Sequence, residues 1–401
     1  MIIPSHVPKD LVVDLDIYAL PGGREDPQLA WMDFCGKGPL VFSPHNGGHW
    51  VATTAEDITA MFRDPKRFSS EEVSIPAHAG QRLVPIESDP PLHADYRANI
   101  QRILTPAAVA ALENEIRALA ISLIESFRQK GECEFVSEFG LKLPLIVFLK
   151  IMGLPEDDRL YLRGLTEAFA RHPDPDEKGR AYGEIVSYLN DWIAKRVATP
   201  GNDAISQLIQ AKVCGRVYTR EEVSSTSALA LFGGLDTVAS SLAFWVLHLA
   251  EHPGHRDYVR AQKGNLLPVI EELMRRFAIP SMGRIVTEDL VYKGVQMKRG
   301  DRLLLSPVIH NLDEAIAAHP ERVDFTRPAR QIGFGTGSHI CVGAHLARCE
   351  FKIFLEEWLA RIPEFEVISD RPLIKRAAPT NSVDELWLRW DIPSSGAPST
   401  F

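Results

Sequence analysis

Between Ser224 and Glu251 the chain is apolar almost all the way round a helix, with LALFGGLDTVASSLAFWVLHLA at its heart, and this run limits the fold more than any other. At ~1.5 Å per residue it would be roughly 40 Å long, enough to thread a protein or to cross a bilayer. Gly233, Gly234, Asp236, Thr237, Ser240 and Ser241 interrupt it, and one isolated span would be out of place, so we read a long central helix in the core of a soluble protein. An acid beside an alcohol in such surroundings is costly unless it is paired or does chemistry. Asp236 and Thr237 are therefore the first candidate catalytic residues. The small residues before them leave a groove, and Thr237 bonding back to the preceding turn would open the helix locally.

The remaining pattern is mainly α and reads as one domain over residues 1–401, because no linker, repeat or low-complexity tract divides it. Helical periodicity covers Ala107 to Gln129, Arg180 to Val197 and Leu266 to Phe277, and a closing helix runs from near Val342 to about Ile362. His172 to Asp176 reads as an exposed loop. A small β region is expected on the N-terminal side, where Leu40 to Thr54 alternates around Asn46-Gly47, a pair suited to a turn with positive φ. Short strands are expected at Ile285 to Val286 and Val295 to Lys298, followed by a turn at Arg299 to Asp301 and an irregular stretch to Ile332.

A net charge of −9 argues against nucleic-acid binding, which needs basic surface to neutralise phosphates. The N-terminal residues lack a basic start followed by an apolar run, so the expected location is cytoplasmic, without membrane attachment. Five cysteines, Cys35, Cys133, Cys214, Cys341 and Cys349, form an odd, scattered set without CxxC spacing, which points to reduced thiols.

One of them stands apart. The run Phe334-Gly335-Thr336-Gly337-Ser338-His339-Ile340-Cys341-Val342-Gly343 fits F-x-x-G-x-x-x-C-x-G directly before the closing helix. At a helix N-terminus unsatisfied amides and the helix dipole lower a thiol's pKa and favour the thiolate that a metal needs. Gly335, Gly337 and Gly343 permit tight turns and close backbone approach, so that amides reach the sulfur while a flat macrocycle lies against the loop.

This run resembles the haem-binding loop of the cytochrome P450 superfamily, and the likeness extends over nearly the whole chain. The resemblance implies haem b (iron protoporphyrin IX) with Cys341 as metal ligand, Phe334 shielding its sulfur and His339 reaching a propionate. It places Asp236 and Thr237 as the acid–alcohol pair that relays protons and hydrogen-bonds dioxygen, with Leu229 and Gly233 beside the cofactor. His93 and Arg97, after Asp89-Pro90-Pro91, match the family's propionate-binding helix, and Arg284 matches a further propionate arginine. Glu272 and Arg275 match its structural Glu/Arg pair, completed by Arg322. Cys349 is read as core filler.

The nearest branch is that of camphor 5-monooxygenase, but Val73 to Pro91 holds no aromatic residue to bond a ketone. Apolar shape must then carry selectivity, with Leu83, Val84, Phe232, Ile279 and Pro280 at the family's pocket positions and His78 or Gln81 as polar contacts. The implied substrate is a small apolar terpenoid or norisoprenoid, ionone-like rather than camphor. No GxGxxG follows a strand, so electrons come from outside; the resemblance implies a [2Fe–2S] ferredoxin and an NADH-dependent ferredoxin reductase, attracted by Arg97 and Arg348. A peroxygenase or nitric oxide reductase on the same scaffold, and a non-catalytic haem gas sensor, stand as alternatives.

Overall fold

The computed structural model describes residues 3–77, 82–171, 175–262 and 264–392. Its helices are α1 (Ala55–Phe62), α2 (Leu92–Ile103), α3 (Pro106–Arg128), α4 (Lys142–Met152), α5 (Arg159–Arg171), α6 (Pro175–Ala198), α7 (Ala204–Ile209), α8 (Arg220–Glu251), α9 (Pro253–Ala261), α10 (Leu267–Arg276), α11 (Pro307–Asn311) and α12 (Ala344–Arg361). The apolar run is α8. It starts four residues earlier than its periodicity suggests, because a capping box between Thr219 and Glu222 lies upstream of the apolar stretch. Among the described residues α8 is long and apolar enough to cross a membrane, yet most of it is buried inside the molecule, as a core helix is.

Two hydrophobic clusters meet along α8. Its first half, through Leu235, joins residues of α4 to α7 and the segment at Leu83 and Val84. Its second half, from Val238, joins α3, α10 and α12. Asp236 and Thr237 stand at the seam, where polar groups disturb neither cluster.

The N-terminal β region is present and larger than the expected hairpin. Leu40–Ser43 pairs antiparallel with His49–Ala52, and Asn46 (φ 53°) and Gly47 (φ 88°) take up the left-handed turn. The sheet continues through Arg302–Leu305, Met282–Val286 and Phe68–Ser69, so later strands close what the hairpin begins. A second sheet, Glu366–Val367, Ser382–Arg389 and Leu373–Arg376 with Glu132–Glu134 alongside, had no distinct sequence signal. α6 begins at Pro175, absorbing part of the expected loop, since proline suits the first helical turn. Residues 172–174 lie outside the described residues.

Behind the cysteine loop, Glu272 and Arg275 form a fully buried bidentate pair at 2.8 and 2.9 Å. Arg275 also donates to the carbonyls of Asn311, Pro320 and Arg322. The expected third member is corrected here. Arg322 contributes only its backbone carbonyl, its own side chain is 72% exposed, and it pairs with Glu321. Arg327, five residues on and 16% exposed, is the arginine that reaches Glu272, at 3.5 Å.

Breaking a buried ion pair from one side costs about 3–5 kcal/mol. Glu272→Ala is expected to lower unfolding stability by that amount in urea titrations, while Arg322→Ala should stay within about 0.5 kcal/mol of the parent.

Candidate active site

The cysteine loop is held by backbone bonds to itself. Gly335 N donates to Ile332 O and Cys341 N to Phe334 O, both at 2.7 Å. Gly337 has φ 76°, and a Cβ there would lie 2.8 Å from Phe62 O, so glycine lets α1 approach the loop. Arg63 fastens the same contact by donating to Thr336 Oγ1 at 3.1 Å, a link no sequence pattern marked. The loop turns into α12 at Ala344, three residues after the cysteine.

Cys341 is accessible at the residue level although its sulfur is set deep among protein atoms, so it faces an internal cleft. Burial pushes its thiol above the usual range; an amide bond from Gly343 and the charges of Arg97 and Arg348 pull it down without prevailing. In the haem-free chain burial thus opposes the lowering expected at a helix start, because desolvation disfavours the charged form. What the chain supplies is a set of donors suited to an anionic sulfur. Phe334 packs half-buried beside the loop, with the Arg348 guanidinium 4.4 Å from its ring centroid. Arg348 also pairs with Glu271 at 2.7 Å, which blunts its charge.

His93 and Arg97 on α2, Arg284 on a strand of the first sheet and His339 in the cysteine loop come together from three parts of the chain. The His93 and His339 rings lie 4.0 Å apart. Burial, then Arg284, His93 and Arg97, hold His339 down to about 3. Burial and the neighbouring Arg97 and Arg284 lower His93, against Asp89. Burial brings Arg284, 3% exposed, to about 10. Asp89, whose carboxylate is held by Ser69 Oγ and Ser70 N, is the acid whose charge reaches Arg284. Neither Arg97 nor Arg284 has a side-chain ion pair among the described residues, and His339 Nε2 is buried without a partner there.

The middle of α8 is accessible as well. Helix residues on either side are buried, yet Gly233 is exposed and Leu229, Phe232, Gly234, Asp236 and Thr237 are partly accessible. A Cβ at Gly233 or Gly234 would meet nothing within 4 Å. Thr237 Oγ1 donates to Gly233 O at 2.8 Å, the back-bond expected of it. Leu83 and Val84 are buried in the cluster that also takes in Leu229 and Phe232. Phe232 is stacked on Phe169 of α5 at 4.2 Å and on Tyr182 of α6 at 6.2 Å. Ile279 belongs to the other cluster, and Pro280 bridges to Thr380, so these two are not grouped with the other expected pocket residues. His78 and Gln81 lie outside the described residues.

The residues present fit a haem. A thiol at a glycine-rich helix start, a helix with an accessible pair of glycines, and two arginines gathered with two imidazoles match an iron ligand, a flat ring and two carboxylates. The family model described as Cytochrome P450 matches residues 266–375. A probable cytochrome P450 127A1 of Sinorhizobium fredii is 33% identical over 97% of both chains. Linalool 8-monooxygenase of Pseudomonas putida is 30% identical over 82% of this chain and 87% of its own. The crystal structure of CYP101J2 superposes with a TM-score of 0.90 at 37% identity, covering 98% of this chain and all of the other. The chain belongs to the cytochrome P450 family. It is therefore an oxidoreductase whose prosthetic group is haem b.

Two outcomes are expected. Arg284→Gln should speed haem loss to a scavenger protein about tenfold or more, since a hydrogen bond to a charged group is worth ~1.5–3 kcal/mol. In haem-free protein His339 stays neutral down to about pH 3, whereas in the unfolded chain it takes up a proton near its ordinary value, 6.5. The unfolded state thus binds more protons between those values, and stability is lost as pH falls through that window. The urea midpoint should fall accordingly, and His339→Asn should flatten the slope.

Proposed function

We propose that this chain is a single-domain, soluble, cytoplasmic monooxygenase that hydroxylates a compact apolar terpenoid or norisoprenoid, ionone-like in shape. The observation that carries the reading is the accessible middle of α8, where Asp236 and Thr237 interrupt an otherwise buried helix. Cys341 would ligate the iron, supported by the Gly343 amide and the Arg97 and Arg348 charges around its sulfur. His93, Arg97, Arg284 and His339 would hold the propionates, and Phe334 and Gly335 would pack the loop against the ring. When bound, the haem supplies activation of dioxygen and insertion of one oxygen atom into a carbon–hydrogen bond.

The protein's own groups hold the proton path and the substrate. Thr237 Oγ1, hydrogen-bonded to Gly233 O, is positioned to exchange that bond for one to a small ligand in the groove. Asp236, one residue earlier, would carry protons from the interior side of α8 to the Thr237 hydroxyl. Leu229, Gly233, Leu83, Val84 and Phe232 would form one apolar wall and Ile279 with Pro280 the other, excluding water and orienting a substrate by shape. A relative named for its action on linalool supports a terpenoid substrate.

Electrons would come from a [2Fe–2S] ferredoxin served by an NADH-dependent reductase. Of the two arginines expected to attract an acidic partner, Arg348 is engaged by Glu271 and Arg97 would be engaged by a propionate, so other basic groups of that face would carry the attraction. The Asp236–Thr237 pair favours oxygen activation over the peroxygenase, nitric oxide reductase and gas-sensor alternatives, which have less use for a proton relay.

β-Ionone is expected to shift the Soret band to shorter wavelength and, with ferredoxin, reductase, NADH and oxygen, to give a hydroxylated product. Thr237→Ala should keep NADH consumption while losing most product. Absence of any spectral response to β-ionone and related terpenoids would remove the substrate assignment, and product formed without ferredoxin would remove the electron route.

A further inference from the structure

Four consecutive hydroxyl residues, Ser224 to Ser227, lie buried in the first half of α8. Inside a helix such a hydroxyl ordinarily bonds back to a carbonyl three or four residues earlier. Ser224 Oγ does so to Glu221 O at 3.2 Å, and Ser227 Oγ to Val223 O at 2.8 Å. Thr226 Oγ1 has no partner among the described residues. Ser225 behaves differently. Its hydroxyl leaves the helix, donates to Arg82 O at 2.6 Å and accepts from Val84 N at 3.0 Å.

The segment it grips has no regular structure of its own to satisfy its backbone. Between the two gripped atoms, Leu83 N donates to Glu87 Oε2 at 2.7 Å, and Glu87 N returns to Leu83 O at 2.8 Å. Glu87 is itself buried, and its charge reaches the Tyr182 phenol of α6. Arg82 O, Leu83 N and Val84 N are thus all paired with side chains, two of them with one hydroxyl. Holding a carbonyl and an amide two residues apart fixes both the position and the rotation of the intervening peptides. Leu83 and Val84, only 7% and 8% exposed, are in consequence set at a defined depth beside Leu229 and Phe232.

We infer that Ser225 is a positioning residue: by clamping the backbone at Arg82 and Val84 to α8, it sets the apolar wall that orients the substrate. The inference rests on the reading of Leu83 and Val84 as that wall. A substrate without a strong hydrogen-bond anchor depends on rigid walls for its orientation. Freeing the clamp would leave a buried amide and a partly buried carbonyl unpaired, and the segment would move to satisfy them.

The test compares Ser225→Ala with Ser227→Ala in the haem-loaded protein. Ser227 is the matched control, since its hydroxyl serves only its own helix. Ser225→Ala is expected to speed amide hydrogen exchange at Leu83 and Val84 at least fivefold, about what one lost hydrogen bond gives. It should also weaken β-ionone binding and spread hydroxylation over more carbons, with haem content and the carbon monoxide spectrum unchanged. Ser225→Thr, which keeps the hydroxyl, should restore slow exchange, and Ser227→Ala should match the parent throughout. Unaltered exchange at Leu83 and Val84 in Ser225→Ala, or an equal effect from Ser227→Ala, would overturn the clamp. Exchange is measured without substrate, so it decides the clamp even if β-ionone proves not to bind and the substrate reading fails.

Discussion

A chain of bonds starting at one buried ion pair fixes where the cysteine sits. Glu272 and Arg275, both without exposed surface, neutralise each other, and the remaining guanidinium hydrogens hold the carbonyls of Asn311, Pro320 and Arg322. Asn311 Oδ1 accepts from Ile332 N at 2.9 Å, Gly335 N donates to Ile332 O, and Phe334 O accepts from Cys341 N. A stretch with little regular secondary structure is thereby pinned at each step. The pair need not add net stability to matter, because its value lies in specifying one arrangement of a segment that has few ladders of its own.

The second constraint is electrostatic. His93, Arg97, Arg284 and His339 are brought to one place and partly stripped of water, so that burial and the two arginines raise the cost of charging the histidines. Left to themselves these groups destabilise the fold. Two carboxylates delivered with the cofactor would reverse the sign of that interaction, coupling haem binding to folding around the cleft. The same economy governs α8, where Asp236 and Thr237 fall between two apolar clusters and so interrupt neither.

Much of this was legible in the sequence because it depends on local order. The cysteine loop, the Gly233 to Thr237 run and the Asn46-Gly47 turn each carry their geometry in adjacent residues. The cationic cluster could be named only through family resemblance, since nothing in the spacing of His93, Arg284 and His339 shows that they meet. Arg322 was misassigned for a related reason. Two arginines five residues apart in an irregular segment cannot be told apart by pattern, and only packing shows that Arg327 turns inward while Arg322 points to solvent. The Ser225 clamp escaped notice because it spans more than one hundred residues, as does the pairing of Glu132–Glu134 with the C-terminal sheet. The raised pKa of the haem-free thiol lay beyond the sequence as well, because the burial that outweighs the Gly343 amide and the Arg97 and Arg348 charges is set by packing.

Sulfur ligation by Cys341 is the claim on which the remaining assignments turn. The most direct measurement is the absorption spectrum of the reduced, carbon monoxide-treated protein beside that of Cys341→His. The account predicts a Soret band at the long wavelength of a thiolate-ligated haem in the parent and at the shorter wavelength of imidazole ligation in the variant. Identical spectra from the two proteins would contradict it.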